Sequence, residues 1–495
     1  MEHLPAVDLL VLISYLIIVV GIGAWFARRS RDTEAFIAAS RSLPGWAIGL
    51  SMFGSYVSSI SFLANPGNAY KGNWNAFVFS LATPIAAVIA IWWIVPFYRR
   101  SGEVSAYHHL ERRFGPWART YAVICFLLTQ MARTGTVVYL LALAVAPLTG
   151  WPVVTTILLT GSLMTVYTMA GGMKAVVWTG VLQSLVLMAG PVICLTALLI
   201  KIPGGLTHVL EMGADADKFS LGAFGSSLAD ETFWVVFIYG LVMNLGNFGI
   251  DQSYVQRYVT ARTDREAAKS VAITAVLYVP VAALFFFIGT SLFVYYQADP
   301  GSLGGITKPD EVFPRFIATQ LPIGLAGLVV AAIFAASMDP NLNSMATLTL
   351  CDLYRRYWRP QAGELDSMRV LHLATLFWGV LGTGVALAMI HQKSALDGWW
   401  QLAGIFSGGM LGLFALGRMT RASNGAAALA VAAGVVVILW MTISQTSFWP
   451  EWLSAYRSPF HKFLPIVFGT GVILIVGTLL SLLGLARPRS GSDAA

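Results

Sequence analysis

The chain has 495 residues, of which 57% are apolar and 11% are charged, with three cysteines and a formal net charge of +7. An ordinary soluble domain has about 45–50% apolar and about 25% charged residues, so the composition excludes a water-soluble globule. Dispersed glycine and proline exclude a low-complexity chain, and three cysteines are too few for a disulfide scaffold of this length.

Apolar stretches of about 18 or more residues recur along the whole sequence, and each can cross a hydrocarbon core about 30 Å thick as a helix. They do not alternate in polarity as the strands of a membrane barrel do. We therefore predict an all-α polytopic membrane protein with about thirteen transmembrane helices. In chain order these cover residues 6–27, 44–70, 74–98, 117–148, 152–170, 173–200, 232–255, 270–296, 322–350, 367–391, 398–417, 424–444 and 462–486.

Basic residues predict the orientation, because cytoplasmic loops retain lysine and arginine. With the N-terminus outside, 22 of the 31 basic residues, Arg257 among them, fall at the inner side and 8 at the outer side. We expect a periplasmic N-terminus and a cytoplasmic C-terminus in the inner membrane. The same distribution explains the net charge without a nucleic-acid partner, since no contiguous basic stripe is present.

Two segments outside the spans have a recognisable character. Residues 103–119 are expected to form an amphipathic helix at the inner interface, with Tyr107, Leu110 and Phe114 on its apolar side. Residues 201–231 are expected to form a polar outer loop.

Small and polar residues interrupt two of the spans. The second contains Ser51 to Ser61, and the seventh contains Asn244 to Ser253. Unwound backbone is tolerated at membrane depth only where it faces protein or a water-filled cavity. Two such segments, five spans apart, indicate inverted five-helix repeats with a binding site near the midplane. The alternative is that these glycines and serines merely allow close helix packing.

Arg133 lies within the fourth span, near the bilayer centre, where a charge costs at least about 2.5–3.5 kcal/mol. Its planar guanidinium can bind a carboxylate through two parallel hydrogen bonds, so a substrate anion is a natural partner. The alternative is a structural pair with a protein carboxylate or with backbone carbonyls.

Motifs for catalysis are absent from the sequence. It contains no GxxxxGK[ST] phosphate loop, no HExxH motif and no paired cysteines with metal spacing. Cys125, Cys194 and Cys351 lie in or beside apolar spans, where a free cysteine packs as a small apolar residue. We expect a permeation function and no enzyme activity.

Several motifs, in order and on the corresponding spans, resemble the sodium:solute symporter family. They are Arg41-Ser42-Leu43-Pro44-Gly45-Trp46, Ser51 to Phe62, Tyr167 to Gly172 with Val177-Trp178-Thr179, Gln256-Arg257-Tyr258, and Asn343-Ser344 leading to Asp352-Leu353-Tyr354. The resemblance implies the LeuT-type fold with unwound first and sixth core helices. It divides the chain into an N-terminal helix and inner loop (1–43), a first repeat (44–200), the outer loop (201–231), a second repeat (232–421), and C-terminal helices with a cytoplasmic tail (422–495).

Within the family the chain looks most like bacterial sialic acid symporters, because Arg133 stands where those proteins hold the substrate carboxylate. Their substrate hydroxyls fall on Ser58 and Ser61, and a glutamine of theirs is replaced by Ser80. The resemblance therefore implies a small carboxylated sugar or related solute. Adding the polar groups of the seventh span, the predicted solute-binding residues are Ser58, Ser61, Ser80, Arg133, Asn244 and Asn247.

The resemblance also implies a Na+ site, which is altered here. Backbone carbonyls of Gly54 and Val57 would contribute, together with an alanine carbonyl and two serine hydroxyls of the eighth core helix. The chain is about three residues shorter there, so one register places Ala336 and Ser337 at the serine positions and the other places Asp339 and Pro340. Asp339 is a candidate compensating ligand or proton carrier. A second family Na+ site needs an aspartate where Gly180 stands.

The leading hypothesis is a Na+-coupled symporter that moves a sialic acid-like solute across the inner membrane, acting as a monomer or a weak oligomer. One alternative is a Na+-independent or H+-coupled carrier with the same fold, since the expected serines and aspartate are altered. Another is a solute sensor that does not transport.

Overall fold

The computed structural model describes residues 5–27, 37, 39–103, 105–170, 173–306, 308–337, 341–392, 395–407, 409–446 and 449–483. Within these residues the chain is helical and forms no β-strand. The helices are α1 Ala6–Ala27, α2 Gly45–Tyr56, α3 Ile60–Lys71, α4 Asn75–Ser101, α5 His108–Phe114, α6 Pro116–Thr149, α7 Val153–Ala170, α8 Met173–Lys201, α9 Gly205–Asp215, α10 Phe233–Gly249, α11 Gln252–Val259, α12 Asp264–Ala298, α13 Val312–Gln320, α14 Leu325–Ser337, α15 Asn341–Leu348 (continued by a π-helix, Thr349–Trp358), α16 Glu364–Met389, α17 Ala395–Ser407, α18 Met410–Met419, α19 Asn424–Ile443 and α20 Pro465–Leu482.

Nine helices of the described part are long and apolar enough to span a membrane, and counting each bent pair as one span raises the number to eleven. Two shorter apolar helices, Ala6–Ile22 and Val153–Val166, coincide with the first and fifth predicted spans. The all-α membrane class is therefore confirmed, whereas the total of thirteen stays a prediction.

Both interrupted spans are bent. The axes of α2 and α3 differ by 53°, and those of α10 and α11 differ by 47°. Val57 leaves the helical conformation with φ −88° and ψ 74°, and Asp251 starts α11 as an N-cap whose side chain accepts a hydrogen bond from Ser253 N. The breaks are narrower than the predicted segments, because regular helix continues up to Tyr56 and Gly249.

The bent pairs lie in the middle of the bundle. α12 packs against both α2 and α3, α8 packs against α2 and α14, and α6 packs against α16 and α17. Gly289 makes the contact between α12 and α3 possible, since a Cβ atom there would lie 2.3 Å from the carbonyl oxygen of Pro66. The backbone around the breaks is thus held on several sides by protein, as helix interruptions at membrane depth require.

A buried carboxylate fixes the first helix to the bundle. Asp8 is 0% exposed, and its Oδ1 accepts hydrogen bonds from Gly324 N at 2.8 Å and from Gly327 N at 2.6 Å. These amides begin α14, where unsatisfied N–H groups and the helix dipole favour a negative charge. Asp8 therefore joins two segments that are far apart in the sequence.

The expectation that Arg257 lies in an inner loop is wrong. Arg257 is on α11 and is 1% exposed. Its Nη1 donates to Ser51 O at 3.0 Å and to Ser55 Oγ at 2.8 Å. Arg257 therefore joins α11, the helix after the second break, to α2, the helix before the first break. The helix after the second break is polar in sequence, and its polar side chains are buried by protein.

The segment predicted to be a polar outer loop contains more structure than expected. Residues of α9 form a helix within 201–231, and Lys218 beyond it is 6% exposed. Lys218 Nζ donates to Tyr70 O at 2.7 Å and to Gly72 O at 2.9 Å, at the C-terminal end of α3. A cation is favourable at a helix C-terminus, so the loop stabilises α3 from outside.

The predicted interfacial helix is shorter than 103–119. α5 covers His108–Phe114, and its apolar side is buried against protein, since Tyr107, Leu110 and Phe114 are each 1% exposed. Tyr107 Oη donates to Ile250 O at 2.7 Å, next to the second break. The apolar side of the segment is therefore part of the protein core.

An ion-pair network joins α5 and the Arg119 end of α6 to the π-helix Thr349–Trp358. Arg119 Nε lies 2.5 Å from Asp352 Oδ1, and Arg119 Nη1 lies 2.8 Å from Glu111 Oε2. Arg356 pairs with Glu111, and Ser105 Oγ donates to Asp352 at 2.7 Å. The Asp352 side chain is 0% exposed, so this charge depends on its partners.

His109 on α5 should make folding sensitive to acid. Both of its ring nitrogens are buried, its ring packs on Phe97 and Phe414, and burial lowers the pKa of His109 to about 3. Below a normal histidine pKa of about 6.5 the unfolded chain binds a proton that the folded chain excludes, which lowers folding stability by up to about 1.4 kcal/mol per pH unit. We expect His109→Phe to lose less thermal stability than the wild type between pH 7 and pH 5.

Differential scanning fluorimetry of the purified protein measures this difference. His391→Phe is the control, because His391 is exposed and its removal should leave the pH dependence unchanged. Equal slopes for His109→Phe and the wild type would contradict the assignment of the acid sensitivity to His109.

Candidate solute site

A polar cavity with an empty volume of about 630 Å³ lies where the two broken spans meet. It is lined by residues of α2, α3, α4, α6, α10, α11, α12 and α17 and of the first break. Its lining residues are Tyr56, Ser58, Ile60, Ser61, Asn65, Ala76, Phe79, Ser80, Arg133, Met243, Asn247, Tyr254, Tyr278, Leu396, Trp399 and Trp400. Hydroxyl and amide groups alternate with aromatic rings, as in sites that hold a polar solute with a few oriented groups.

Five of the six predicted solute-binding residues line this cavity: Ser58, Ser61, Ser80, Arg133 and Asn247. Ser58 stands at the first break, and Ser61 follows it on α3. The sixth residue, Asn244, is 0% exposed and is not part of the lining. Its side chain accepts from Tyr56 Oη at 3.0 Å and donates to Gly240 O at 2.7 Å, so its position is that of a supporting residue.

Arg133 is 7% exposed and reaches the cavity from α6. Its Nη2 donates to the carbonyl oxygen of Ser55, in the last turn of α2, and its guanidinium lies 5.9 Å from the centroid of the Trp399 ring. The carbonyl and the ring orient the guanidinium. A backbone carbonyl carries no formal charge, so the contact with Ser55 does not neutralise the cation.

Aromatic residues form one wall of the cavity beside the first break. The ring of Tyr56 lies 5.3 Å from Phe248 and 5.1 Å from both Tyr254 and Tyr278, measured between centroids. Asn247 Nδ2 donates to Tyr56 Oη at 3.3 Å. Tyr56 thereby connects the end of α2 to α10, so the two broken spans are coupled through one side chain.

Sequence reasoning missed three further aromatic residues that line the cavity, Phe79, Trp399 and Trp400. Phe79 on α4 stacks on Trp400 of α17 with centroids 5.4 Å apart, and Trp399 covers Arg133. The pair Trp399-Trp400 at the start of a predicted span was an available signal. Asn65 also lines the cavity and was missed. Its position four residues after Ser61 was an available signal, because residues with this spacing share a helix face.

A second cavity, with an empty volume of about 460 Å³, adjoins the first and shares Arg133, Met243, Asn247 and Trp399 with it. It lies toward the Arg119 end of α6. Its other lining residues are Phe126, Thr129, Gln130, Gly246, Ile250, Asp251, Ser407, Met410, Leu411 and Ile466. Arg133 therefore borders both cavities.

The residues predicted for the Na+ site lie at the ends of two helices that pack together, α2 and α14. Gly54 approaches α8 closely, since a Cβ atom there would lie 2.5 Å from Ser184 Oγ. Val57, Ala336 and Ser337 are buried, and Ser337 Oγ donates to Ile333 O at 2.8 Å, which leaves its oxygen able to accept or coordinate. Asp339 lies outside the described residues.

A family model described as the sodium:solute symporter family matches residues 36–434. The sodium/sialic acid symporter NanT of Aliivibrio fischeri is 31% identical over 97% of this chain and 93% of its own length. The sodium/sialic acid symporter SiaT of Proteus mirabilis is 31% identical over 95% of this chain and 93% of its own. The human sodium/iodide cotransporter is 30% identical over 88% of this chain and 69% of its own.

Among solved structures, the substrate-bound outward-open state of a Na+-coupled sialic acid symporter superposes with a TM-score of 0.88 at 30% identity, covering 97% of this chain and 98% of that one. Mhp1, a nucleobase-cation-symport-1 family transporter in a closed conformation, gives a TM-score of 0.58 at 16% identity, covering 91% and 94%. The second likeness concerns the fold alone.

Proposed function

The chain belongs to the sodium:solute symporter family, and from this premise we propose that its solute is a sialic acid or a similar carboxylated sugar. As a member of the family it has the LeuT-type fold, is an integral multi-pass membrane protein and carries out secondary active symport of a small solute with Na+. The H+-coupled carrier and the solute sensor are not favoured.

Arg133 is the observation that carries the proposal. It is a cation that is 7% exposed at a cavity with hydroxyl and amide groups, where a guanidinium gains most from a carboxylate that it can bind through two hydrogen bonds. Ser58, Ser61 and Ser80 supply hydroxyls at the same cavity, which suit the hydroxyl and acyl groups of a sugar acid. Trp399 offers an aromatic face beside the guanidinium.

We further propose that Na+ binds between α2 and α14, with carbonyl oxygens of Gly54, Val57 and Ala336 and the hydroxyl of Ser337 as ligands, and with Asp339 as a further candidate. Na+ is a hard cation that prefers oxygen ligands. The packing of α2 on α14 and the burial of Val57 and Ser337 support this arrangement.

The topology proposal follows the basic residues. The N-terminus would lie in the periplasm, the C-terminus in the cytoplasm, and the repeats would cover residues 44–200 and 232–421 of an inner-membrane protein that acts as a monomer or a weak oligomer. The two bent spans begin these repeats, which supports the boundaries.

Uptake of N-acetylneuraminic acid into proteoliposomes tests the function. We expect an inward Na+ gradient to drive accumulation, with an initial rate at least about tenfold above that in a K+ gradient, since coupling energies of 1–3 kcal/mol are typical. The uncharged sugar N-acetylmannosamine should neither accumulate nor compete. Uptake that is independent of Na+, or equal for both sugars, would contradict the proposal.

A further inference from the structure

Gln130 and Asp251 form a buried polar pair in the second cavity. Gln130 is 1% exposed and Asp251 is 8% exposed, and Gln130 Nε2 donates to Asp251 Oδ2 at 2.5 Å. A carboxylate can only accept hydrogen bonds, so the amide nitrogen of Gln130 faces Asp251. The amide oxygen, Oε1, consequently points away from that bond.

Gln130 Oε1 is a buried acceptor that a bound ligand could satisfy. It is buried, and within the described part of the chain no group donates to it. A buried acceptor without a donor or a cation is costly. Because Nε2 and Oε1 belong to one amide, Oε1 also lies near the Asp251 carboxylate. The pair thus offers a neutral amide oxygen and a negatively charged carboxylate.

We propose that Gln130 Oε1 and the Asp251 carboxylate bind a Na+ ion in the second cavity, and that a solute carboxylate on Arg133 strengthens this binding. Oxygen donors with a negative charge suit a hard monovalent cation. The second half of the proposal rests on the proposed function, because it requires a carboxylated solute at Arg133.

The coupling between solute and Na+ follows from the charges around the second cavity. Arg133 lies three residues after Gln130 on α6 and so shares its helical face. Among the residues that line the cavity, Arg133 and Asp251 are the charged ones. The positive charge of Arg133 opposes a cation beside Asp251, whereas a solute carboxylate at Arg133 adds a negative charge and weakens that opposition. Linkage then requires Na+ to strengthen solute binding by the same factor.

Binding of radioactive Na+ to the purified protein, at constant ionic strength with choline, tests the site directly. Asp251→Asn removes the charge but keeps the helix cap, because asparagine caps a helix as well as aspartate does. Gln130→Met removes the amide oxygen at similar volume. We expect each variant to bind Na+ about tenfold more weakly in the presence of N-acetylneuraminic acid, within the usual range of coupling effects.

The direction of the change in Na+ affinity without solute tests whether the charge of Arg133 opposes Na+ binding. Arg133→Gln should bind Na+ more tightly than the wild type without solute, and added N-acetylneuraminic acid should no longer change its Na+ affinity. Asp8→Asn is the matched control, since Asp8 is also a buried carboxylate at a helix start but lies outside both cavities. Its Na+ affinity should equal that of the wild type.

Two results would overturn the site. One is an unchanged Na+ affinity in both Asp251→Asn and Gln130→Met, each confirmed as folded by its melting temperature. The other is a change in solute selectivity alone, which would make Asp251 a contact for solute hydroxyls. If the wild type binds no sialic acid while both variants still weaken Na+ binding, the cation site stands and the proposed solute is wrong.

Discussion

Replacing Arg133 with glutamine is expected to weaken the binding of N-acetylneuraminic acid by about 100-fold to 1,000-fold, equivalent to about 3–4 kcal/mol. The loss is large because the guanidinium is 7% exposed, so water cannot replace it as a partner of the solute carboxylate. Glutamine can still donate to the carbonyl of Ser55 but carries no charge. Isothermal titration calorimetry in saturating Na+ measures the change.

Two comparisons separate recognition from structural support. Arg133→Lys keeps the charge but loses the planar fork, so we expect an affinity between those of the wild type and Arg133→Gln. N-acetylmannosamine, which lacks the carboxylate, should not distinguish the variants from the wild type. A glutamine variant with unchanged affinity and a lowered melting temperature would show that Arg133 only supports α2.

The second large effect concerns stability. Arg119→Met should lower the free energy of unfolding by about 3–5 kcal/mol, because it leaves the carboxylate of Asp352 buried without its ion-pair partner. Asp352 has a fully buried side chain, and Arg119 has one that is 10% exposed. The double variant Arg119→Met/Asp352→Leu should recover most of the loss, since apolar residues of similar volume often replace a buried ion pair without cost.

Thermal unfolding of the two single variants and the double variant, combined as a double-mutant cycle, provides the measurement. Arg359→Gln is the control, because Arg359 pairs with Asp366 on the surface, where its side chain is 65% exposed. An exposed pair contributes about 0–1 kcal/mol. Equal losses for Arg119→Met and Arg359→Gln would show that the buried network does not stabilise this end of α6.

The sequence was sufficient to predict the helical class, the two broken spans and the position of Arg133 beside them. Each rests on a rule that lipid imposes locally: long apolar segments must be helical, and unwound backbone or a charge must face protein or water. The positions of Ser58, Ser61 and Asn247 at the cavity could be predicted for the same reason, because these residues lie in or beside the interruptions.

Asn244, Arg257 and the pair of Gln130 with Asp251 were beyond the sequence. Asn244 and Asn247 occupy one interrupted segment. Only the packing of the helices determines that Asn247 lines the cavity, whereas Asn244 accepts a hydrogen bond from Tyr56 outside the lining. Arg257 follows the break on a helix with polar residues, which hydropathy cannot distinguish from a loop. Gln130 and Asp251 meet across 121 residues of sequence, so no spacing rule relates them.

The contact of Asp8 with the start of α14 has a consequence for synthesis. Its partner Gly324 is 316 residues away, so at about 5–20 residues per second the ribosome needs about 15–60 s to produce it. During that interval the carboxylate lacks the two amides that donate to it in the folded protein, and a charge is costly in hydrocarbon. The first helix can therefore enter the membrane early but takes its final depth only when the second half of the protein arrives.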